Sequence, residues 1–251
     1  YVYTPNDAAM NALRGTATET FTIVGSDGSL SSNQTLTISV AGVNDTPTIT
    51  SSAPSISYTD TSADDTFTAS SGTITSADAD SGDTKAFSIT GGIASSGSVS
   101  KTGTYGSLSI DTATGAYSFT ANDGAIEALG DTVTSETFTV VVADSLGGTN
   151  SQAITVSITG ANDQPGITLS GSTFSYSDSA ATDDFVTQSG SVTYADRDAV
   201  SNAQFSISGG AYAAGESSLG GTYGTLAMDS LGHYVYTPND AAMNALRGTA
   251  T

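Results

Sequence analysis

The sequence predicts an all-β chain, and three observations carry that reading. Apolar residues alternate with Thr and Ser at strict period 2, as in Glu19-Thr-Phe-Thr-Ile-Val24 and Gln34-Thr-Leu-Thr-Ile-Ser-Val40. This is the mark of half-buried strands. Gly- and Asp-rich turn signals separate short strand-like runs at roughly 8–12-residue intervals. The whole pattern then repeats: Gly42-Val-Asn-Asp-Thr-Pro47 returns as Gly160-Ala-Asn-Asp-Gln-Pro165, a shift of 118. Gly103-Thr-Tyr-Gly-Ser-Leu108 returns as Gly221-Thr-Tyr-Gly-Thr-Leu226, also 118 on. A period of that size matches a domain with its own core. The expected architecture is a tandem, extended array of immunoglobulin-like β-sandwiches, one complete domain flanked by two partial ones.

The expected boundaries follow from the period. Residues 1–45 read as the C-terminal part of a repeat, 46–163 as a complete sandwich, and 164–251 as the N-terminal part of the next. Tyr1 to Thr18 recurs unchanged as Tyr234 to Thr251, so the chain reads as a segment of a longer array.

In chain order, Asn6 to Gly15 forms a capped helical turn. Glu19–Val24 and Gln34–Val40 form a hairpin around Gly25-Ser-Asp-Gly-Ser29. Strands then fit Ser55–Thr59, Thr66–Ser76, Ala86–Thr90, Gly106–Ile110 and Ala116–Thr120, the last two joined by Asp111-Thr-Ala-Thr-Gly115. Asn122 or Asp123 caps a helical turn over Ala125–Leu129, which Gly130 stops. A second hairpin follows over Glu136–Val142 and Gln152–Ile158, turning at Asp144-Ser-Leu-Gly-Gly148. Its second strand runs straight into the Asn162-Asp163 joint.

Composition narrows the function. Five basic residues face twenty-five acidic ones, for a net charge of −20, although only 12% of residues are charged. This excludes nucleic-acid binding, which needs clustered Lys and Arg, and argues against anionic lipid. Without cysteine there are no disulfides, and with His233 as the one histidine a zinc site of the usual kind lacks ligands. No apolar run approaches the roughly 20 residues of a membrane span. A converging set of carboxylates would draw a divalent cation.

The spacing of acids supplies such a set. Asn44-Asp45 is followed 33 to 35 residues later by Asp78 and Asp80. Asn162-Asp163 is followed at the same distance by Asp196 and Asp198, although the neighbouring residues differ. An Asp-x-Asp pair on an irregular loop can aim two carboxylates at one point, and a hard cation wants six to eight oxygens. Topology adds Asp144, whose hairpin loop lies at the end of the domain that receives the joint. The first expected site is Asn44, Asp45, Asp78, Asp80 and Asp144. The second is Asn162, Asp163, Asp196 and Asp198, with Asp27 as the counterpart of Asp144 in the preceding repeat. Irregular oxygen-rich loops favour Ca²⁺ over a smaller ion. Asp60, Asp111 and Asp123 read as turn or cap residues, and Asp64-Asp65 and Asp183-Asp184 as solvated turns.

The run from Gly25 to Pro47 resembles the end of a cadherin repeat: an acidic hairpin, an alternating strand and an Asn-Asp-x-Pro joint. The motif Gly103-Thr-Tyr-Gly-Ser-Leu108 with Tyr117-Ser-Phe119 is similar to the bacterial VCBS repeat of giant secreted RTX-type biofilm adhesins. The resemblance covers residues 47–163 and both flanking parts. It implies cadherin-like sandwiches, export to the bacterial cell surface, and calcium at the joints. The expected function is a calcium-stiffened extender repeat supporting cell adhesion and biofilm formation. The alternative is a glycan- or surface-binding sandwich, which the outward row Thr35, Thr37 and Ser39 keeps open. An enzyme is not expected, since the sole histidine precludes a Ser-His-Asp set at each repeat. The expected partners are neighbouring repeats of the same chain and a second copy joined head to tail through the split end domains.

Overall fold

The computed structural model describes residues 1–198 and 203–246. The chain divides into two compact units. One comprises Tyr1–Asp60, Asp65–Ile126 and Asp131–Gly160; the other comprises Thr61–Asp64, Glu127–Gly130 and Ala161–Thr251.

The first unit opens with a short helix α1 (Asp7–Asn11), capped by the Asn6 side chain, which accepts from the Ala9 N–H at 3.2 Å. Strands β1 (Thr16–Ser26) and β2 (Ser31–Ala41) then form a separate two-stranded hairpin. Phe21 pairs with Leu36 and Ile23 with Gln34 across it. Among the described residues no second sheet covers this hairpin, and Phe21 and Ile23 are each 46% exposed.

The sandwich follows. Strands β3 (Thr48–Ile49) and β6 (Ser76–Ala77) make a small antiparallel clasp. One sheet has the order β5 (Ser70–Thr73), β11 (Ala116–Ala121), β10 (Gly106–Asp111), β9 (Ser98–Thr102), β8 (Ile93–Ser95). The other has the order β4 (Ser55–Thr59), β13 (Thr149–Thr159), β12 (Val133–Ala143), β7 (Ala86–Ile89). Pairing is antiparallel except for β4 and β13, which run parallel with Ile56 opposite Val156. Ile74, Leu108, Ile110 and Phe119 from one layer and Phe138, Val140, Ile154, Val156 and Ile158 from the other are at most 1% exposed. Phe119 and Phe138 meet edge to face at 5.8 Å. This is the all-β sandwich that the alternation predicts.

Three details differ from the sequence expectation. The run 66–76 is not one strand, because its parts serve different sheets: β5 pairs with β11, and β6 pairs with β3. The β8–β9 hairpin was not expected, since Ile93 and Val99 are its only large aliphatic residues. It turns at Ser96 and Gly97, with φ of 45° and 83°, which suits a tight two-residue turn. Helix α2 (Asp123–Glu127) also begins two residues before the expected span.

The second unit holds β14 (Gly166–Ser170), β15 (Gln188–Ala195), β16 (Ala211–Ala213), β17 (Glu216–Gly220), β18 (Gly224–Asp229), β19 (His233–Pro238) and helix α3 (Asp240–Met243). Its described strands make one six-stranded sheet, in the order β14-β15-β19-β18-β17-β16. Val192, Met228 and Tyr234 form its buried cluster, with Phe174, Phe205 and Ile207 packed on it.

Candidate metal centre

Three pieces of the first unit meet around one point. The linker after β2 brings Asn44 and Asp45, the loop after β6 brings Asp78, Asp80 and Asp83, and the β12–β13 turn brings Asp144. The Asp45 backbone N–H donates to Asp80 Oδ2 at 2.7 Å. Asn44 Nδ2 donates to Asp144 Oδ2 at 3.0 Å. Asp144 Oδ1 accepts from the N–H groups of Leu146 and Gly148, both at 2.8 Å. The Asp80 N–H donates to Asp78 Oδ1 at 3.1 Å, folding the Asp-x-Asp loop on itself.

These bonds leave a second set of oxygens turned inwards. Asn44 Oδ1, Asp78 Oδ2, Asp80 Oδ1 and Asp83 Oδ2 are buried and accept no hydrogen bond. Asp80 is 5% exposed, and the Asp83 side chain is 0% exposed. Asp78, Asp83 and Asp144 can each offer a carboxylate oxygen within 4.8 Å of the others. Buried carboxylate oxygens without donors are costly unless a cation satisfies them. The donor set is all oxygen, with no sulfur or imidazole, which suits a hard divalent ion.

The surrounding bonds favour the charged form of two of these carboxylates, Asp83 and Asp144. The Ser145 hydroxyl, aided by the Thr84 N–H and Arg14, holds Asp83 below its ordinary value of 3.8. The Asn44 amide, with the Leu146 and Gly148 N–H groups, does the same for Asp144. Arg14 Nη1 lies 3.1 Å from Asp83 Oδ1, and the Ser81 N–H donates to the Ala12 carbonyl at 3.1 Å. The turn after α1 is thereby tied to the loop that carries the acids.

The second unit carries a related but different set. The Asp163 N–H donates to Asp198 Oδ2 at 2.8 Å, and the Asp198 N–H to Asp196 Oδ1 at 3.1 Å. Asp198 Oδ1 is again buried without a donor. Asp163 is 1% exposed, and Asn162 Nδ2 donates to its carbonyl at 3.0 Å. Here the Tyr194 hydroxyl bonds Asp196 Oδ2 and holds the Asp196 carboxyl below its ordinary value. Arg197 stands between the two acids of the pair, with Nη2 2.7 Å from Asp64 Oδ2 and Nε 3.6 Å from Glu127 Oε2.

The structure thus gathers Asn44, Asp45, Asp78, Asp80 and Asp144 in one place, and Asp163, Asp196 and Asp198 in another. Asp45 joins its cluster through its backbone N–H. Asp27 stands apart: it is exposed and caps its own turn, accepting from the Ser29 and Leu30 N–H groups at 2.9 and 2.8 Å. Asp83 and Arg14 lie outside the expected ligand set. The signal for Asp83 was its position five residues after Asp78, across Gly82 in the left-handed region (φ 75°). Asp60 and Glu127, expected as turn and helix residues, are each buried to 4% exposure.

No family model matches the chain, and no curated protein matches it. Solved structures similar to it are cadherin ectodomains. They include a protocadherin described as PcdhgB3 EC1-4, with 15% identity, 90% of this chain and 49% of that one covered, and a TM-score of 0.38. Protocadherin gamma B2 extracellular cadherin domains 1–5 gives 18%, 90%, 39% and 0.37. Mouse cadherin-23 EC22-24 gives 15%, 91%, 65% and 0.33. The chain spans about half the length of the first of these.

Proposed function

We propose that this chain is a structural extender segment of a secreted bacterial surface adhesin, stiffened by calcium at its interdomain joints and supporting cell adhesion and biofilm formation. Residues 1–45, 46–163 and 164–251 serve as the end of one repeat, a full repeat and the start of the next. The observation that carries this reading is that Asp78, Asp83 and Asp144 each offer a carboxylate oxygen within 4.8 Å of the others, while Asn44 Oδ1, Asp78 Oδ2, Asp80 Oδ1 and Asp83 Oδ2 are buried and accept no hydrogen bond. The motifs shared with VCBS and cadherin repeats support the bacterial and adhesive part. The proposed ligands at the second joint are Asn162, Asp163, Asp196 and Asp198, and Asp27 would serve a preceding repeat. The site offers binding, and nothing in it calls for catalysis.

The mechanism is electrostatic. Without a cation the inward carboxylates repel, and the linker is free to bend. A bound ion joins linker, loop and hairpin turn into one body. Extracellular modules bind calcium at roughly 10⁻⁴–10⁻³ M. Free calcium about a hundredfold above the dissociation constant stabilises a site by about 2.7 kcal/mol. Calorimetric titration of calcium into chelated protein tests the proposal. Binding should accompany a rise in melting temperature, and Asp78→Ala with Asp80→Ala should abolish that rise while leaving the chelated protein little changed. An equal loss with and without calcium would assign these residues to packing alone.

A second reading, surface or glycan binding, draws on the hairpin face where Thr18, Thr20 and Thr22 stand opposite Ser39, Thr37 and Thr35. Retention on a glycan array, unaffected by chelator, would favour it.

A further inference from the structure

Each acidic loop is met by the turn that follows a short helix, and the two turns are related in sequence. Asn6 to Thr16 recurs in altered form as Asn122 to Thr132, with Asn-Asp kept at the start and Ala-Leu near the end. Three of the differences change charge. Asn11, Arg14 and Gly15 become Glu127, Gly130 and Asp131, so the second turn is the more acidic. The loops change in the opposite sense. Ala79 and Asp83 become Arg197 and Ser201, so the second loop is the less acidic.

Four of the exchanged residues form ion pairs. In the first unit Arg14 Nη1 lies 3.1 Å from Asp83 Oδ1, and beside it the Ser81 N–H donates to the Ala12 carbonyl at 3.1 Å. In the second unit Arg197 Nε lies 3.6 Å from Glu127 Oε2, and its Nη2 lies 2.7 Å from Asp64 Oδ2. A Cβ on Gly130, which takes the place of Arg14, would stand 3.4 Å from Asp198 Oδ1, so this turn also lies against its loop. Both pairs set a partly exposed guanidinium, 32% for Arg14 and 43% for Arg197, on a buried carboxylate, 0% for Asp83 and 5% for Glu127.

The polarity of the two pairs is reversed. The first turn supplies the cation and its loop the anion; the second turn supplies the anion and its loop the cation. Each turn is therefore a poor fit to the other loop. On the first loop, Glu127 would meet the acids that Arg14 now faces. On the second, Arg14 would meet Arg197. A buried carboxylate that loses its cation is left as an uncompensated charge, which is costly. Similar domains strung in one chain are prone to misassembly and exchange. Discrimination between them takes a repulsive element as well as an attractive one.

We propose that Arg14–Asp83 and Glu127–Arg197 are keys of opposite polarity, which match each turn to the loop that follows it in the chain and so fix the order in which similar repeats dock. The proposal rests on the reading of residues 1–45, 46–163 and 164–251 as successive repeats. It does not rest on cation binding.

The test installs the second key in the first unit of the whole chain. Amide hydrogen exchange is read at Ser81, relative to Val156 in the sandwich core, with chelator present throughout. Asn11 and Ala79 are exposed, so each accepts a larger side chain. Asn11→Glu with Arg14→Gly gives the first turn the charges of the second key. It should speed exchange at Ser81 about threefold, the scale of a lost, partly exposed charge pair. Adding Ala79→Arg should return the rate to within about twofold of the original. Ala79→Arg alone, with Arg14 against it, should not slow exchange. An unchanged rate in the turn variant overturns the proposal. So does an equal slowing by Ala79→Arg with and without the turn changes, since the arginine would then merely neutralise an acidic loop. Calorimetric calcium titration of the same proteins separates the two readings: an intact exchange pattern without calcium binding would remove the metal centre and uphold the keys.

Discussion

Asn44 Nδ2 donates to Asp144 Oδ2 at 3.0 Å, joining two residues 100 positions apart and leaving Asn44 Oδ1 turned inwards without a donor. The linker amide thus keeps its own oxygen clear of donors while it orients a carboxylate. Gly148 makes the arrangement possible: a Cβ there would collide with Asp144 Oδ2 and crowd Thr46 and Asn44 Nδ2. Gly148→Ala should push the Asp144 carboxylate aside. Calcium affinity is expected to fall roughly 10–100-fold, the range for disturbed outer-shell partners, as read by calorimetric titration.

Arg14 acts as a tethered cation at the same centre, through its ion pair with Asp83. Arg14→Gln should modestly lower the melting temperature in chelator and enlarge the rise that calcium produces, because Asp83 loses its resident positive partner. A calcium response unchanged by the substitution would mean that the ion pair and the metal do not share Asp83.

The two hairpins should respond differently to one chemical change. Phe138 is 1% exposed and meets Phe119 edge to face, whereas Phe21 is 46% exposed. Phe138→Ala is expected to cost about 3–5 kcal/mol in urea unfolding of the sandwich, the usual range for a buried Phe. Phe21→Ala should cost under about 1 kcal/mol when measured at concentrations where the chain is monomeric.

Asp111 contributes to acid sensitivity away from the metal centre. It accepts from the Thr114 hydroxyl and from the Thr114 and Ala113 N–H groups, and these hold its carboxyl below the ordinary 3.8. A lowered carboxylate stabilises the fold above the unfolded value and ceases to do so as pH falls through the folded one. The melting temperature should therefore drop on acidification below about pH 4. Asp111→Asn should flatten that drop and leave the profile between about pH 5 and 8 unchanged in slope.

Much of this was legible in the sequence, for physical reasons that can be named. β-branched alternation in Glu136–Val142 and Gln152–Ile158 had one reading, because period 2 with buried Val and Ile fits only a sheet. The interval of 35 residues from Asp45 to Asp80 recurs from Asp163 to Asp198, and a backbone N–H to carboxylate bond spans each, at 2.7 and 2.8 Å; the spacing predicts ligands of a shared ion rather than this bond. What escaped was whatever depends on chain reversal. Asp83 returns to Asp78 only because Gly82 adopts positive φ. Arg14 reaches Asp83 across 69 positions and shares no motif with it. Burial of Asp60 and Glu127 has no local signature, since an isolated acid beside a turn or in a short helix reads as solvated. The β8–β9 hairpin escaped because Ser and Gly carry its turn with little apolar content around it.

The parallel pairing of β4 with β13 has a mechanical consequence. A pull along the repeat enters next to Ser55–Thr59 and leaves from Thr149–Thr159, so the neighbouring strands are dragged in opposite directions along their own length. Every rung from Ser55 opposite Thr155 to Thr59 opposite Thr159 then bears load at once, where an unzipping geometry would break them singly. A repeat wired in this way resists tension by shear.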